Sequence, residues 1–337
     1  MARGVPPPLV RRPISITILT ISFLLVPIVL VVGLFIGVIV DLFRAARGDR
    51  RFRSSRSVVL ICALLTVDFI FFLGVLTIFL ASLFVARPTS DARFHRIMTN
   101  WATMLMRVIG VVIPMEIDLS ELADFSFANS IVVARHRSLL DAVLPASIIG
   151  GAGLKARYTL KEDLRWEPNI DLVGHAIPHR FITRDPENLE RELERIRDLG
   201  ETLDDRSAAV IFPEGTFFTE RRKQQIVSSL ERRNPGRADA ARSINHLLPP
   251  RPGGTLALLD GAPNADVVVF GHIGFEPFGT IPEILRNIGG SHPVRVKAWR
   301  FPRSEVPDDR DDRIDWLFER WIELDRWVDS EHRSQHP

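Results

Sequence analysis

His136 and Asp141 stand five residues apart in the stretch ARHRSLLDAVLP, directly after the apolar run SIVVA. An imidazole beside a carboxylate makes a general base, because the carboxylate fixes the ring's tautomer and steadies the imidazolium that forms. Residues five apart lie about 140° from each other around a regular helix, so the two cannot meet inside one. For contact, His136 must sit in the turn after the strand, and Asp141 must reach back from about one turn into the next helix. Taken alone, the pair reads at least as well as an ordinary strand-to-helix turn with a capping histidine.

Three later stretches add to it. RFITR (180–184) puts Arg184 right after a short apolar strand. FPEGT (212–216) puts the Glu214 carboxylate in a turn at the tip of another strand, and LLPPRPGG (247–254) is a proline loop around Arg251. Each is a weak signal by itself. In this order they resemble the lysophospholipid acyltransferase family of the 1-acylglycerol-3-phosphate acyltransferase, PlsC-like, type. That family carries an H-x-x-x-x-D box, then G-x-x-F-I-x-R, then F-P-E-G-T, then a proline-bearing apolar strand. Here the matches are His136 to Asp141, Phe181-Ile182-Thr183-Arg184, and Phe212 to Thr216, within a resemblance that covers about residues 95–325. PEGTFFTE, LLPPRPGG and the C-terminal stretch RFPRSEVPDDRDDRIDWLFERWIELD look closest to the lysocardiolipin and lysophosphatidylinositol acyltransferase branch. Four positions depart from the pattern. Arg135 stands where Asn is usual, and His179 or Arg180 stands where a glycine leads the second box. Phe217 stands where an arginine often follows the third box, and VVVFGHIGF lacks the proline. Arg221 or Arg222 is near enough in sequence to supply the absent arginine.

The resemblance implies transfer of a fatty acyl group from a thioester, acyl-CoA or acyl-carrier protein, to the hydroxyl of a lysophospholipid such as 1-acylglycerol-3-phosphate. His136 would take the hydroxyl proton and Asp141 would orient it, so no enzyme nucleophile is required. The chain has no G-x-S-x-G elbow, and its one cysteine, Cys62, lies in an apolar run. Backbone N–H groups after His136 are the expected oxyanion donors. For the acceptor's phosphate, Arg184 is the first choice, because a guanidinium grips phosphate with two parallel bonds; Arg180 is a second. Glu214 is expected to orient the acceptor's hydroxyls or an arginine. Gly215, with no side chain, lets the backbone approach the ligand, and Thr216 completes that turn. Arg221 and Arg222 are expected to meet CoA phosphates or the membrane surface. No cofactor and no metal is expected: His175 and His179 have helical spacing, but Pro178 stands between them. A hydrolase using the same His/Asp pair, and a non-catalytic lipid-binding membrane protein, remain open as other classes.

The elements around these residues read as an α/β body, a mixed sheet flanked by helices. SIVVA (130–134), SAAVIF (207–212), ADVVVFGHIGF (265–275) and VRVKAWRF (294–301) read as strands, with RYTLK (157–161) and RFITR as short candidates. SLLDAVLPASIIG (138–150) reads as one helix, and the Leu189, Leu193, Ile196 and Leu199 stripe as another, stopped by Gly200. Two N-terminal membrane helices precede this body. Residues 14–43 and 57–86 are apolar runs longer than the roughly 20 residues that cross a bilayer core, between a basic tail (1–13) and an arginine-rich linker (44–56), ahead of an acyltransferase catalytic domain at 87–337. A polar partner for Asp68, mid-run, is expected inside the helix pair. Residues 1–86 hold nine arginines against three aspartates, and the whole chain is +2, so the body is net acidic. The basic excess therefore points to anionic lipid rather than to nucleic acid. Two simple spans would place the six-arginine linker opposite the body, against the positive-inside bias. Bent, re-entrant or interfacial helices are preferred. The expected location is a membrane, taken as a bacterial cell membrane, with the catalytic domain on its cytoplasmic face.

Overall fold

The computed structural model describes residues 5–84, 87–183 and 188–335. It opens with a helical hairpin. α1 (Pro8–Ala46) runs through Pro13 and Pro27, and α2 (Arg53–Ser82) returns along it. At about 1.5 Å per residue these helices are about 58 and 45 Å long. Both are long and apolar enough to cross a membrane by length and composition. The turn between them is capped from afar. Asp41 accepts hydrogen bonds from the Ser54 and Ser55 N–H groups at 3.0 and 2.8 Å, which satisfies two of the donors a helix start leaves unpaired.

The hairpin lies against α3 (Arg87–Val112), which leads into the body. Among the described residues the body is built on a seven-stranded sheet in the order β1-β7-β6-β2-β5-β3-β4. In chain order the strands are β1 (Met115–Asp118), β2 (Ser130–Ala134), β3 (Lys155–Lys161), β4 (Arg180–Ile182), β5 (Ser207–Ile211), β6 (Asp266–Ile273) and β7 (His292–Phe301). Five run parallel, while β7 pairs antiparallel with β6 and carries β1 beside it. β2 is buried along its whole length, as a central parallel strand covered on both faces must be.

Helices cover the two faces. α3 and α4 (Val143–Gly151) pack on one, with α5 (Pro168–Ala176) between them and the hairpin. On the other lie α6 (Leu189–Glu201), α9 (Pro252–Gly261) and α11 (Arg310–Gln335). α7 (Glu220–Arg233), α8 (Pro235–Ser243) and α10 (Ile281–Asn287) fill the connections. Residues read as one helix over 138–150 are two pieces, a 3₁₀ turn at Leu139–Ala142 and then α4. The break has a cause. Asp141 folds back on the N–H groups of Arg137 and Ser138, while the Ser138 hydroxyl accepts from Leu140 N–H at 3.0 Å. That is a capping box tight enough to hold its turn as 3₁₀.

The chain leaves β2 toward β3 on one side and later returns to lay β6 on the other. The switch in direction falls at β2, and beyond the carboxyl ends of strands at such a switch is where open α/β sheets bind ligands.

Candidate active site

β2 ends at Ala134 and places Arg135 and His136 just beyond the carboxyl end of the sheet's central strand. Asp141 comes back to meet the ring: its Oδ2 lies 3.6 Å from His136 Nδ1. That is longer than a hydrogen bond, though such contacts commonly tighten only when substrate is bound. The two differ in access. Asp141 is 1% exposed and the His136 side chain 18%, so the carboxylate is sealed while the ring has an open side. Phe212 and Phe217 flank the ring, each with its centroid 4.5 Å away. Burial works against the Asp141 charge, but His272 and His136 beside it hold the carboxyl far below its ordinary range. With Nδ1 turned to Asp141, Nε2 is the nitrogen left for a substrate proton.

The N–H groups of Arg137 and Ser138 both go to Asp141 Oδ2. They are therefore not the oxyanion donors expected of this turn; the capping box uses them.

Glu214 lies inside the protein, 1% exposed. Its Oε1 accepts from His136 N–H at 2.7 Å and its Oε2 from Leu248 N–H at 2.9 Å. This places it under the site rather than on an acceptor's hydroxyls: it ties the ends of β2 and β5 to the proline loop. Arg251 N–H donates to Pro213 O at 2.9 Å and closes the same corner. Gly215 turns there with φ +69°, a left-handed conformation that suits glycine, and Thr216, half-buried, follows it.

The cations fall in different places. Arg184 lies outside the described residues. Arg180 starts β4, three strands from β2, and its Nε donates to Arg195 O of α6 at 3.2 Å; the structure does not bring it to His136. Arg221 and Arg222 are exposed in the first turn of α7. Arg222 folds back to donate to Phe217 O at 2.8 Å, so it braces the third box from outside.

Other residues were not legible as site residues. Arg137 donates to Phe218 O at 3.1 Å and lies over the Phe218 ring. Lys161 ends β3 in register with Ile182 as an exposed cation paired with Asp163. Arg135 is 1% exposed, pairs with Glu276 at 2.7 Å and also donates to the carbonyl of His272. It repacks the turn and offers no group to a ligand.

An acyltransferase family model matches residues 121–253, a span that holds His136, Asp141 and the Phe212–Thr216 turn. The chain is 24% identical over 188 residues to an uncharacterized acyltransferase of Schizosaccharomyces pombe, covering 51% of this chain and 50% of that one. It is 23% identical over 257 residues to lysophosphatidylinositol acyltransferase 10 of Caenorhabditis elegans, covering 72% and 63%. The chain thus spans about half to three fifths of the length of the curated relatives it matches. The crystal structure of the 1-acyl-sn-glycerophosphate (LPA) acyltransferase PlsC of Thermotoga maritima shares the fold, with a TM-score of 0.56 at 15% identity over 83% of this chain and 98% of that one.

Residues 121–253 thus match an acyltransferase domain, on a fold shared with PlsC. The Arg135 departure from the resembled motif is structural, since Glu276 and two carbonyls absorb the guanidinium. The Phe217 departure leaves a ring, not a charge, against His136. The yeast and nematode relatives are both eukaryotic, so a bacterial membrane has no support from them.

Proposed function

We propose that this chain transfers a fatty acyl group from an acyl thioester to the free hydroxyl of a lysophospholipid at a membrane surface. The observation that carries the reading is the half-open His136 ring backed by a sealed Asp141, at the carboxyl end of the central strand. His136 Nε2 takes the proton of the acceptor hydroxyl as its oxygen bonds to the thioester carbonyl carbon. Asp141 steadies the imidazolium. The carbon–sulfur bond then breaks, and the thiolate leaves with the proton that the imidazolium returns. The products are a diacyl lipid and a free thiol, with no enzyme-bound ester between. The donor is acyl-CoA or acyl-carrier protein, and the acceptor is of the 1-acylglycerol-3-phosphate kind. Arg184, which the sequence motif singles out, supplies charge for its phosphate.

The hairpin brings the lipid. α1 exposes apolar side chains from Leu9 to Phe43, a face that water disfavours and acyl chains accept. The arginines of 44–56 favour the cytoplasmic leaflet by the positive-inside bias.

The test is purified protein with radiolabelled acyl-CoA and a panel of lysolipids, run beside His136→Ala. Labelled diacyl lipid that is lost in the variant supports the proposal. Free fatty acid without lipid product would replace it with a hydrolase. No turnover on any acceptor would point to a lipid-binding protein.

A further inference from the structure

Asp141 has two imidazoles, not one. His272 Nε2 lies 3.1 Å from Asp141 Oδ1, and both side chains are 1% exposed. The sheet explains the meeting. β2 and β6 pair with Ala134 opposite Phe270, so two residues further on His272 comes level with His136. Side chains alternate along a strand: Val268 and Phe270 face the α3 and α4 side, Val267 and Val269 the other. His272 shares the first face, which is where Asp141 sits. Its own position is clamped. Arg135 donates to the His272 carbonyl and to Glu276 Oε1, and Glu276 Oε2 accepts from Gly274 N–H at 2.7 Å. Gly274 turns there with φ +96°.

We propose that His272 is a positioning residue of this site. It pins Oδ1 of Asp141, with the Ser138 hydroxyl at 2.8 Å on the same oxygen, so that Oδ2 faces His136 Nδ1. Without His272, Oδ1 keeps only the Ser138 hydroxyl against the two N–H groups on Oδ2, so the carboxylate can tilt about its Cβ–Cγ bond away from His136 Nδ1 and the ring loses its fixed tautomer. The titratable groups around the pair are Arg135, Arg137 and Glu276, with Glu214 on the β5 side. Arg135 and His272 thereby form one unit: the arginine sets the β6 turn, and the turn presents the imidazole. The inference rests on the acyltransferase reading for its kinetic consequence, but not for its geometry.

The experiment uses the full chain with ¹³C-labelled histidine in lipid nanodiscs. The His136 ring signal is assigned by its loss in His136→Gln, and its pH titration is followed in His272→Phe, His272→Asn and His272→Gln. In the Phe and Asn variants, which cannot reach Oδ1, the His136 midpoint falls by about half a unit or more. Gln, whose amide nitrogen reaches about as far as Nε2, restores it. In the acyl-transfer assay the same two variants lose roughly tenfold to a hundredfold in kcat, with KM for both substrates within about twofold. A His136 midpoint unchanged in both Phe and Asn overturns the proposal, whatever turnover does. Failure of the acyltransferase reading shows separately, as absent transfer by the unaltered chain.

Discussion

At Glu214 a carboxyl group is buried with both oxygens accepting backbone N–H groups. Burial pushes it up to about 8, against the pull of those two N–H groups and of Arg135. An acid whose folded value lies above its ordinary 4.5 binds its proton more tightly when folded. Its contribution to stability is therefore complete below about pH 4.5 and lost as pH rises toward 8. Asp141 works the other way: held low, it contributes above its ordinary 3.8 and loses that contribution only in acid. Between pH 5 and 8 Glu214 then opposes rising pH, as does Glu167, which burial lifts to about 7 and which Glu214→Gln retains. The urea midpoint of the unaltered chain should fall across that range more steeply than that of Glu214→Gln; equal slopes would refute this. Glutamine has only one acceptor oxygen, so the variant should also release either His136 or Leu248 and lower kcat. Asp141→Asn keeps the shape but presents a donor to Nδ1, and kcat should drop by about a hundredfold or more with KM little changed. The His136–Asp141 pair was legible in the sequence only through the later FITR and FPEGT boxes, because its spacing alone reads equally well as an ordinary capped turn. His272 was not, because nothing local marks which histidine of a buried strand will fall level with the pair.

The elements show the same division. β2 and α6 follow directly from an unbroken apolar run and from a 3.6-residue stripe, and the structure places them at Ser130–Ala134 and Leu189–Glu201. β1 escaped because MEID alternates over only four residues and exists by pairing with β7. The Asp68 partner is Trp101 of α3, whose Nε1 donates at 2.8 Å, rather than a residue of the helix pair. A mid-helix carboxylate announces its need but not which neighbour meets it. The start of α1 is tied to the body in a similar way. Arg11 and Arg12 donate to the two oxygens of Asp171 at 2.6 and 2.8 Å, and the Arg11 side chain is 2% exposed. Removing one member of a buried pair leaves the other uncompensated, at a cost of about 3–5 kcal/mol. Asp171→Ala should therefore free the start of α1, which limited proteolysis near residues 8–13 reads as faster cleavage. Arg11→Met combined with Asp171→Leu should slow that cleavage again, since apolar packing can replace the pair; no recovery would mean that the charges themselves hold the helix.

On the scale of the whole molecule, the hairpin lies lengthwise on the body. At one end Arg11 reaches Asp171 of α5; at the other the Arg56 guanidinium donates to Val112 O, the last residue of α3, at 2.8 Å, and Gly289 packs on the Arg51 carbonyl. A helix that crossed a bilayer would carry these ends to opposite faces, yet body residues meet both. The geometry therefore favours a hairpin sunk into one leaflet. α1 is the outer, exposed helix and α2 lies between it and α3. In that arrangement the body, with His136, stays on one side of the bilayer. The arrangement predicts where the chain meets lipid. Single tryptophans at Ile21, Ile28 and Phe35, which are 52%, 60% and 70% exposed on α1, should be quenched by lipids brominated at a shallow acyl position. All three should sit at similar depth. A spanning helix would instead give a gradient across these positions, about 10 Å between the first and second at 1.5 Å per residue. Charges at the same three positions should release the chain from anionic vesicles while leaving its unfolding midpoint nearly unchanged, because these side chains pack against nothing in the body. A depth gradient, or continued binding by the charged variant, would rule the one-leaflet arrangement out.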